Sequence, residues 1–308
     1  NGLQQVIPKS GFFEYLYVNG TDVITFPEWA KGVIYYQIFP ERFCNGNRGN
    51  DPEGCKPWGT LPDREHHMGG DLQGIIQKIP YLKELGIECI YLNPIFEADF
   101  NHKYATTDYF KIDSQFGTEE TFRELVDTCH SYGIRIVLDG VFNHTGVHFK
   151  PFQDVLEKRW DSPYKDWFHI DFNGNSNYND GLWYEGWEGN YDLVKLNLRN
   201  EDVIQHIFES VRLWVEEFDI DGLRLDVAYC LDHDFVRRLR SFCDSLKPDF
   251  FLVGEMLHGD YNQLMNDQML HSVTNYECYK GLYSSFNSMN LFEINHSLLR
   301  QFGPENWT

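Results

Sequence analysis

Short runs of β-branched and aromatic residues, each ending on a polar side chain, alternate along the chain with longer stretches whose apolar positions recur every three or four residues. The first kind reads as buried strands and the second as amphipathic helices, and their alternation predicts parallel βα units. Six strands are predicted, over Val33–Phe39, Ile87–Asn93, Ile134–Asp139, Ile220–Asp226, Phe250–Glu255 and Ser272–Glu277. Between the first two, Asp71–Leu85 places Leu72, Ile75, Ile76, Ile79 and Leu82 at helical spacing, with Asp71 as a cap and Pro80 as a kink. Further helices are predicted over Thr118–Tyr132, capped by Thr118 and stopped at Gly133, and over Asn200–Phe218, Asp232–Leu246 and Asn290–Gln301.

Two segments break this rhythm. Residues 145–195 are rich in Gly, Asn, Trp and Tyr, lack a period, and far exceed the roughly 2–6 residues of an ordinary βα loop, so they read as an inserted subdomain walling a cleft. Residues 1–32 hold an alternating run from Phe12 to Val18, then Asn19-Gly20 and Pro27, and read as the remnant of a β domain with a linker. The expected fold is therefore α/β: a (β/α)8 TIM-type barrel formed by residues 33–144 and 196–308 around the insertion. Such a barrel needs eight strands in about 250 residues. With six strands recognised by Glu277, this chain is expected to be truncated before strands 7 and 8.

Charge and composition narrow the partners. Forty-seven acidic residues against 26 Lys and Arg give a formal net charge of −21, which would repel phosphate backbones and anionic lipid heads. Nucleic acid and membrane surface are excluded on this ground. Aromatic residues make up 16% of the chain, many in loop-like stretches where packing alone does not demand them. Flat rings suit the C–H faces of sugars, and an aromatic-rich core would serve equally for any single ring. The seven cysteines show no metal spacing. Cys89, Cys129, Cys230, Cys243 and Cys278 read as small buried hydrophobes, whereas Cys44 and Cys55 share a loop, as a disulfide or as thiols. The residues present, which begin at Asn1, carry no leader or long apolar span, and a cytoplasmic location is expected.

Candidate chemistry lies at the strand ends. Asp139, Asp226 and Glu255 close strands 3, 4 and 5, and parallel barrel strands gather their C-terminal ends on the face where active sites form. Alternation in Gly222-Leu223-Arg224-Leu225-Asp226 turns Arg224 and Asp226 to one side, where the Arg is expected to hold the Asp ionised. Adjacent strands lie about 4.7–4.9 Å apart, close to the roughly 5–5.5 Å that separates the two carboxyl groups of a retaining glycosidase. The apolar run before Glu255 is expected to raise its pKa, as suits a general acid. Any one of these acids could instead cap a helix or pair with an Arg.

With these residues in place, the chain resembles the α-amylase family, and within it the cyclomaltodextrinase, neopullulanase and maltogenic amylase group. The resemblance rests on Asp139-Gly140-Val141-Phe142-Asn143-His144, Asp221-Gly222-Leu223-Arg224-Leu225-Asp226-Val227-Ala228 and Gly254-Glu255-Met256. The subgroup is marked by Tyr36-Gln37-Ile38-Phe39-Pro40-Glu41-Arg42-Phe43, Gly69-Gly70-Asp71-Leu72-Gln73-Gly74-Ile75, Asn101-His102-Lys103-Tyr104 and Tyr164-Lys165-Asp166-Trp167-Phe168. The similarity implies Asp226 as nucleophile, Glu255 as acid/base and Arg224 as the partner that orients the nucleophile. It further implies His144 as a donor to the sugar, Tyr104 stacked beneath it, and Asp139 as a brace for Arg224. The family's third carboxylate, in a His-Asp pair ending strand 7, has no counterpart after Ser272. Ala105 and Met256-Leu257 depart from the family pattern.

Hard oxygen donors at short spacing around Asn45–Asp51 suit Ca²⁺. The resemblance implies a structural calcium held by Asn45, Asn47, Asn50, Asp51, the Gly69 carbonyl and Asp71; a plain Asn/Gly turn with Asp71 capping a helix is the alternative. The expected activity is hydrolysis of α-1,4-glucosidic bonds in cyclodextrins, pullulan or maltooligosaccharides by double displacement. The rivals are a glucan transferase and a noncatalytic amylase-like domain used for binding or assembly. The 308 residues alone are expected to hydrolyse little, and the open sheet edges suggest a homodimer.

Overall fold

The computed structural model describes residues 25–63 and 66–302; the alternating run Phe12–Val18 lies outside them. Six parallel strands form one sheet: β1 (Tyr35–Ile38), β2 (Cys89–Leu92), β3 (Arg135–Gly140), β4 (Gly222–Leu225), β5 (Phe251–Gly254) and β6 (Ser272–Val273). Each pairs with its neighbours in chain order, so every connection crosses over in the same way. All four residues of β4 are buried, as expected of a parallel strand covered on both faces. Among the described residues, β1 and β6 are paired on one side only. The curled sheet is part of a (β/α)8 barrel.

Local sequence sets the covering helices. In α1 (Leu72–Glu84), Asp71 accepts from the Gly74 N–H at 2.6 Å, and the face bearing Leu72, Ile75, Ile79 and Leu82 is buried. Thr118 closes a capping box at the start of α2 (Glu119–Ser131). A helix α3 (Lys150–Lys158) follows β3 within residues 145–195, together with a three-stranded antiparallel sheet of His144–Gly146, Asn190–Lys195 and Gly186–Trp187. Asn200 and Asp232 cap α4 (Glu201–Phe218) and α5 (His233–Leu246) through N–H groups two and three residues on. Trp214 of α4 stacks on Phe96 with ring centroids 4.4 Å apart and donates its indole N–H to the Tyr109 carbonyl. Burial of a side chain of this kind contributes about 1.5–3 kcal/mol.

Two expectations are corrected, and one hairpin joins the predicted elements. The sixth strand ends at Val273, because Asn275 accepts from the Cys278 N–H and starts a helix that the sequence reading lacked, α6 (Tyr276–Ser288). The segment after β2 folds into a hairpin of Phe96–Ala98 and Thr106–Ile112. Cys230 and Cys278 are half-buried, and among the described residues no disulfide forms. The helices α6 and α7 (Phe292–Phe302) pack on each other and leave Tyr279, Tyr283, Phe286, Leu291 and Phe292 exposed. Among the described residues no helix is long and apolar enough to cross a membrane.

The N-terminal end of β4 carries a closed charge cluster. Asp221, fully buried, accepts from His130 Nε2 and Arg135 Nη1, both at 2.7 Å, from the Ile136 N–H at 2.9 Å and from Lys247 Nζ at 3.2 Å. Burial alone would push its pKa up, but the His130 bond, the backbone N–H and Lys247 outweigh it and bring the value to about 2. The stabilisation is therefore fully present above about pH 4 and is lost as pH falls through about 2. Asp221→Ala leaves Arg135, Lys247 and the His130 ring around an empty position. It is expected to cost about 3–5 kcal/mol in urea denaturation at pH 7, and a loss below about 1 kcal/mol would remove the cluster from the account of stability.

Candidate active site

At the opposite end of the same strand the register assembles a second cluster. Arg224 pairs with Asp139 across β3 and with Val253 across β5, while Asp226 and Glu255 continue the two strands by donating their N–H groups to Gly140 and Leu225 carbonyls. Gly254 is required just before Glu255, since a Cβ there would stand 2.4 Å from Leu270 Cδ1 and 2.8 Å from Ala228 Cβ. The Arg224 guanidinium then meets all three acids. Its Nη1 donates to Asp139 Oδ1 at 2.9 Å and to Asp226 Oδ1 at 2.8 Å, and its Nη2 lies 2.9 Å from Glu255 Oε1. Asp226 and Glu255 thus sit at the two ends of one fork, nearly buried, with side chains 8% and 14% exposed.

Supporting groups surround this fork, and all but Tyr104 are residues to which the sequence reading gave no role. Tyr91 donates its hydroxyl to Asp139 Oδ2 at 2.5 Å, and its ring lies 5.7 Å from the Arg224 guanidinium carbon. Gln37 donates to Asn93, Asn93 to the Tyr104 oxygen, and Tyr104 to Asp139 Oδ2, at 2.9, 2.8 and 2.8 Å. Burial first, and then the Asp139 charge, hold both tyrosines protonated as donors. The Val227 N–H donates to Glu255 Oε2 at 3.0 Å, from a left-handed conformation (φ 40°, ψ 48°) that a β-branched residue rarely adopts. Tyr276, at the start of α6, reaches Glu255 Oε1 at 3.3 Å. A rule was already available for Asn93: it ends a strand on a polar side chain as the three acids do, but only acids were followed.

His144 is buried, with Nε2 3.9 Å from Asp226 Oδ2 and without a hydrogen-bond partner. Burial brings its pKa down to about 4, so the ring is neutral at pH 7. The Asn143 amide nitrogen lies 3.2 Å from Nδ1, and with that nitrogen donating the ring proton sits on Nε2. Tyr104 is half-buried, and Trp187 faces His144 with centroids 5.9 Å apart.

The metal candidates form a separate cluster. Asn45 Oδ1 and Asn50 Oδ1 are buried oxygens without a partner, while Asn45 Nδ2 bonds Asp51 Oδ1 at 2.6 Å. Gly69 has φ 75°, and a Cβ there would meet Asn45 Nδ2 at 2.3 Å and Asp51 Oδ1 at 2.6 Å, so only glycine fits beside this group. Two orphaned amide oxygens beside a carboxylate fit a hard cation. Asn47 Oδ1 accepts from the Gly49 N–H, and Asp71 accepts from the Gly46, Asn47 and Gly74 N–H groups, so these two side chains order the turn. Among the described residues no group of three His, Cys, Asp or Glu is placed to bind a metal, so carbonyl oxygens would have to supply most of the ligands.

One guanidinium among three carboxylates corrects the expectation that Arg224 simply holds Asp226 ionised. Burial raises the Asp226 pKa, the Asp139 charge raises it further, and Arg224 lowers it only in part, leaving about 7. Asp139 is likewise raised by burial, against Arg224 and Tyr91. Ionising Asp226 therefore opposes folding, with no cost below about pH 4 and the full cost above about pH 7. Asp226→Asn is expected to raise stability at pH 8 by on the order of 4 kcal/mol, with the gap closing toward pH 4. Thermal melts across that range check it, and an unchanged midpoint at pH 8 would count against the charge imbalance.

Comparison with known proteins places this geometry. The family model described as the α-amylase catalytic domain matches residues 37–301. A maltogenic α-amylase from Bacillus acidopullulyticus is 46% identical over 299 residues, covering 95% of this chain and 49% of that protein. A neopullulanase 2 from Thermoactinomyces vulgaris is 46% identical over 272 residues, 87% of this chain and 46% of its own length. A solved cyclomaltodextrinase superposes with a TM-score of 0.84 at 40% identity, covering 91% of this chain and 48% of that one. The chain spans about half the length of the curated relatives it matches. With strands that present Asp226 and Glu255 to one arginine and a family match over most of its length, the chain belongs to the α-amylase family of glycosidases.

Proposed function

We propose that this chain carries the nucleophile and acid/base of a retaining hydrolase for α-1,4-glucosidic bonds in cyclodextrins, pullulan or maltooligosaccharides, acting in the cytoplasm. The observation that carries the reading is the shared fork, in which Arg224 holds Asp226 and Glu255 side by side at adjacent strand ends. Separated carboxyl groups with room for a water between them would suit inversion instead.

In this reading Glu255 gives its proton to the glycosidic oxygen while an Asp226 oxygen attacks the anomeric carbon. The C–O bond to the leaving sugar breaks and a glycosyl–Asp226 ester forms. Glu255, now a carboxylate, takes a proton from water; the resulting hydroxide attacks the same carbon, and Asp226 leaves with the configuration retained. Arg224 keeps both acids in place and loses one of its negative partners when Asp226 becomes an ester. A neutral His144 with its proton on Nε2 donates to a sugar hydroxyl without adding charge, Tyr104 offers its ring to the same sugar, and Asp139 anchors Arg224. Among the described residues the sheet has six strands, and no counterpart of the family's third acid follows Ser272 in them, so low hydrolysis by this chain alone is part of the proposal.

Asp226→Ala and Glu255→Gln in the protein of the relatives' full length are expected to lower cyclodextrin turnover at least about 10³-fold with the fold intact. NMR of the first product should show the α-anomer; near-normal turnover or a first β-anomer would overturn the assignment. Calcium belongs to the same proposal, as a structural ion on Asn45, Asn50, Asp51 and the Gly69 carbonyl. Adding Ca²⁺ at a hundredfold its Kd should stabilise the chain by about 2.7 kcal/mol. EDTA should reverse this, and Asp51→Ala should abolish it. Melts that ignore Ca²⁺ would remove the ion.

A further inference from the structure

Residues 159–184 carry a surface that the carboxylate site does not use. Arg159, at the end of α3, has φ 55° and ψ −121°, a backbone region that costs on the order of 1–3 kcal/mol for a residue with a side chain. The next residue, Trp160, is 65% exposed, with one side against Phe172 at a centroid distance of 4.4 Å and an interplanar angle of 39°. A ring backed on one side presents the other to solvent. Trp183, also exposed, pairs with Asp171, the residue before Phe172, in the ladder of Ile170–Asp171 with Trp183–Tyr184. Gly174 fits against it so tightly that a Cβ would lie 2.5 Å from Trp183 Cβ. Asn173, next to Phe172 in sequence, is exposed, as are Asn175 and Asn179, which bond each other at 2.6 Å.

Single exposed apolar residues are ordinary. Here a strained residue leads into the indole and a second ring supports it, and the protein core gains nothing from holding Trp160 outward. An exposed indole face matches the apolar C–H faces of a sugar ring, and a net charge of −21 disfavours anionic ligands. We propose that Trp160, backed by Phe172, is a second binding surface for neutral α-glucan chains, outside the carboxylate cleft. The choice of glucan rests on the proposed function; the surface itself does not.

Native gels cast with amylopectin and ¹⁵N-indole NMR with maltoheptaose test it on this chain. The Trp160 indole signal should shift with sugar, and Trp160→Ala should weaken retention in the gel by about fivefold. The Trp187 signal, which reports the cleft beside His144, should respond in wild type and variant alike. A Trp187 shift with an unmoved Trp160 would sink the second surface and leave the glucan reading standing; silence from both would sink the two together. A Trp160 signal that changes on dilution without sugar would assign the surface to a second copy of the chain and overturn the proposal.

Discussion

The site depends on one constraint: a single guanidinium serves three carboxylates at the ends of three neighbouring parallel strands. Arg224 lies opposite Asp139 in the ladder, and the next residues of β4 and β5 bring Asp226 and Glu255 to its two nitrogens. Four charged side chains at low exposure would be expensive if each sought its own partner. Sharing fixes their relative positions instead, and the same sharing leaves negative charge in excess. A raised Asp226 pKa follows from that arithmetic and from burial, before any sugar binds.

The two ends of β4 make the contrast plain. Asp221 at the N-terminal end is surrounded by donors and sits well below the ordinary carboxylate range, so its cluster adds stability. Asp226, five residues on, is held above that range. Barrel enzymes place chemistry at the C-terminal face and structural bracing at the other, and here one strand carries a charge cluster at each end. The strained Val227 belongs to the reactive end, where its N–H fixes the second oxygen of Glu255. Local strain and incomplete charge balance at such a place are what a preorganised site requires.

Residues 145–195 contribute in two directions. Trp187 faces His144 and so lines the carboxylate site, while Trp160 and Trp183 look away from the core. Buried rings of the same segment hold it to the barrel, Phe149 and Trp167 packing on His206 of α4 with centroids 5.6 and 5.4 Å apart. The abundance of aromatic residues therefore has two physical sources, packing and exposed faces, which composition by itself does not separate.

Much of this was legible in the amino acids. Alternating strand and helix periods determined the parallel βα order, caps such as Asp71, Thr118, Asn200 and Asp232 determined where helices begin, and acids at strand ends marked the site. These features are local, and local patterns are what a one-dimensional reading registers. The sixth strand was overrun because an extended-looking Ser272–Glu277 gives no local sign that Asn275 will cap α6. The partners of the site needed the tertiary structure: Tyr91 and Tyr104 lie 48 and 35 residues from Asp139, and their bonds exist only once β2 and β3 are in register. The protonation balance was decided there too. Adjacency in sequence suggested one Arg for one Asp, and only the folded strands show that Arg224 is divided among three acids buried away from water.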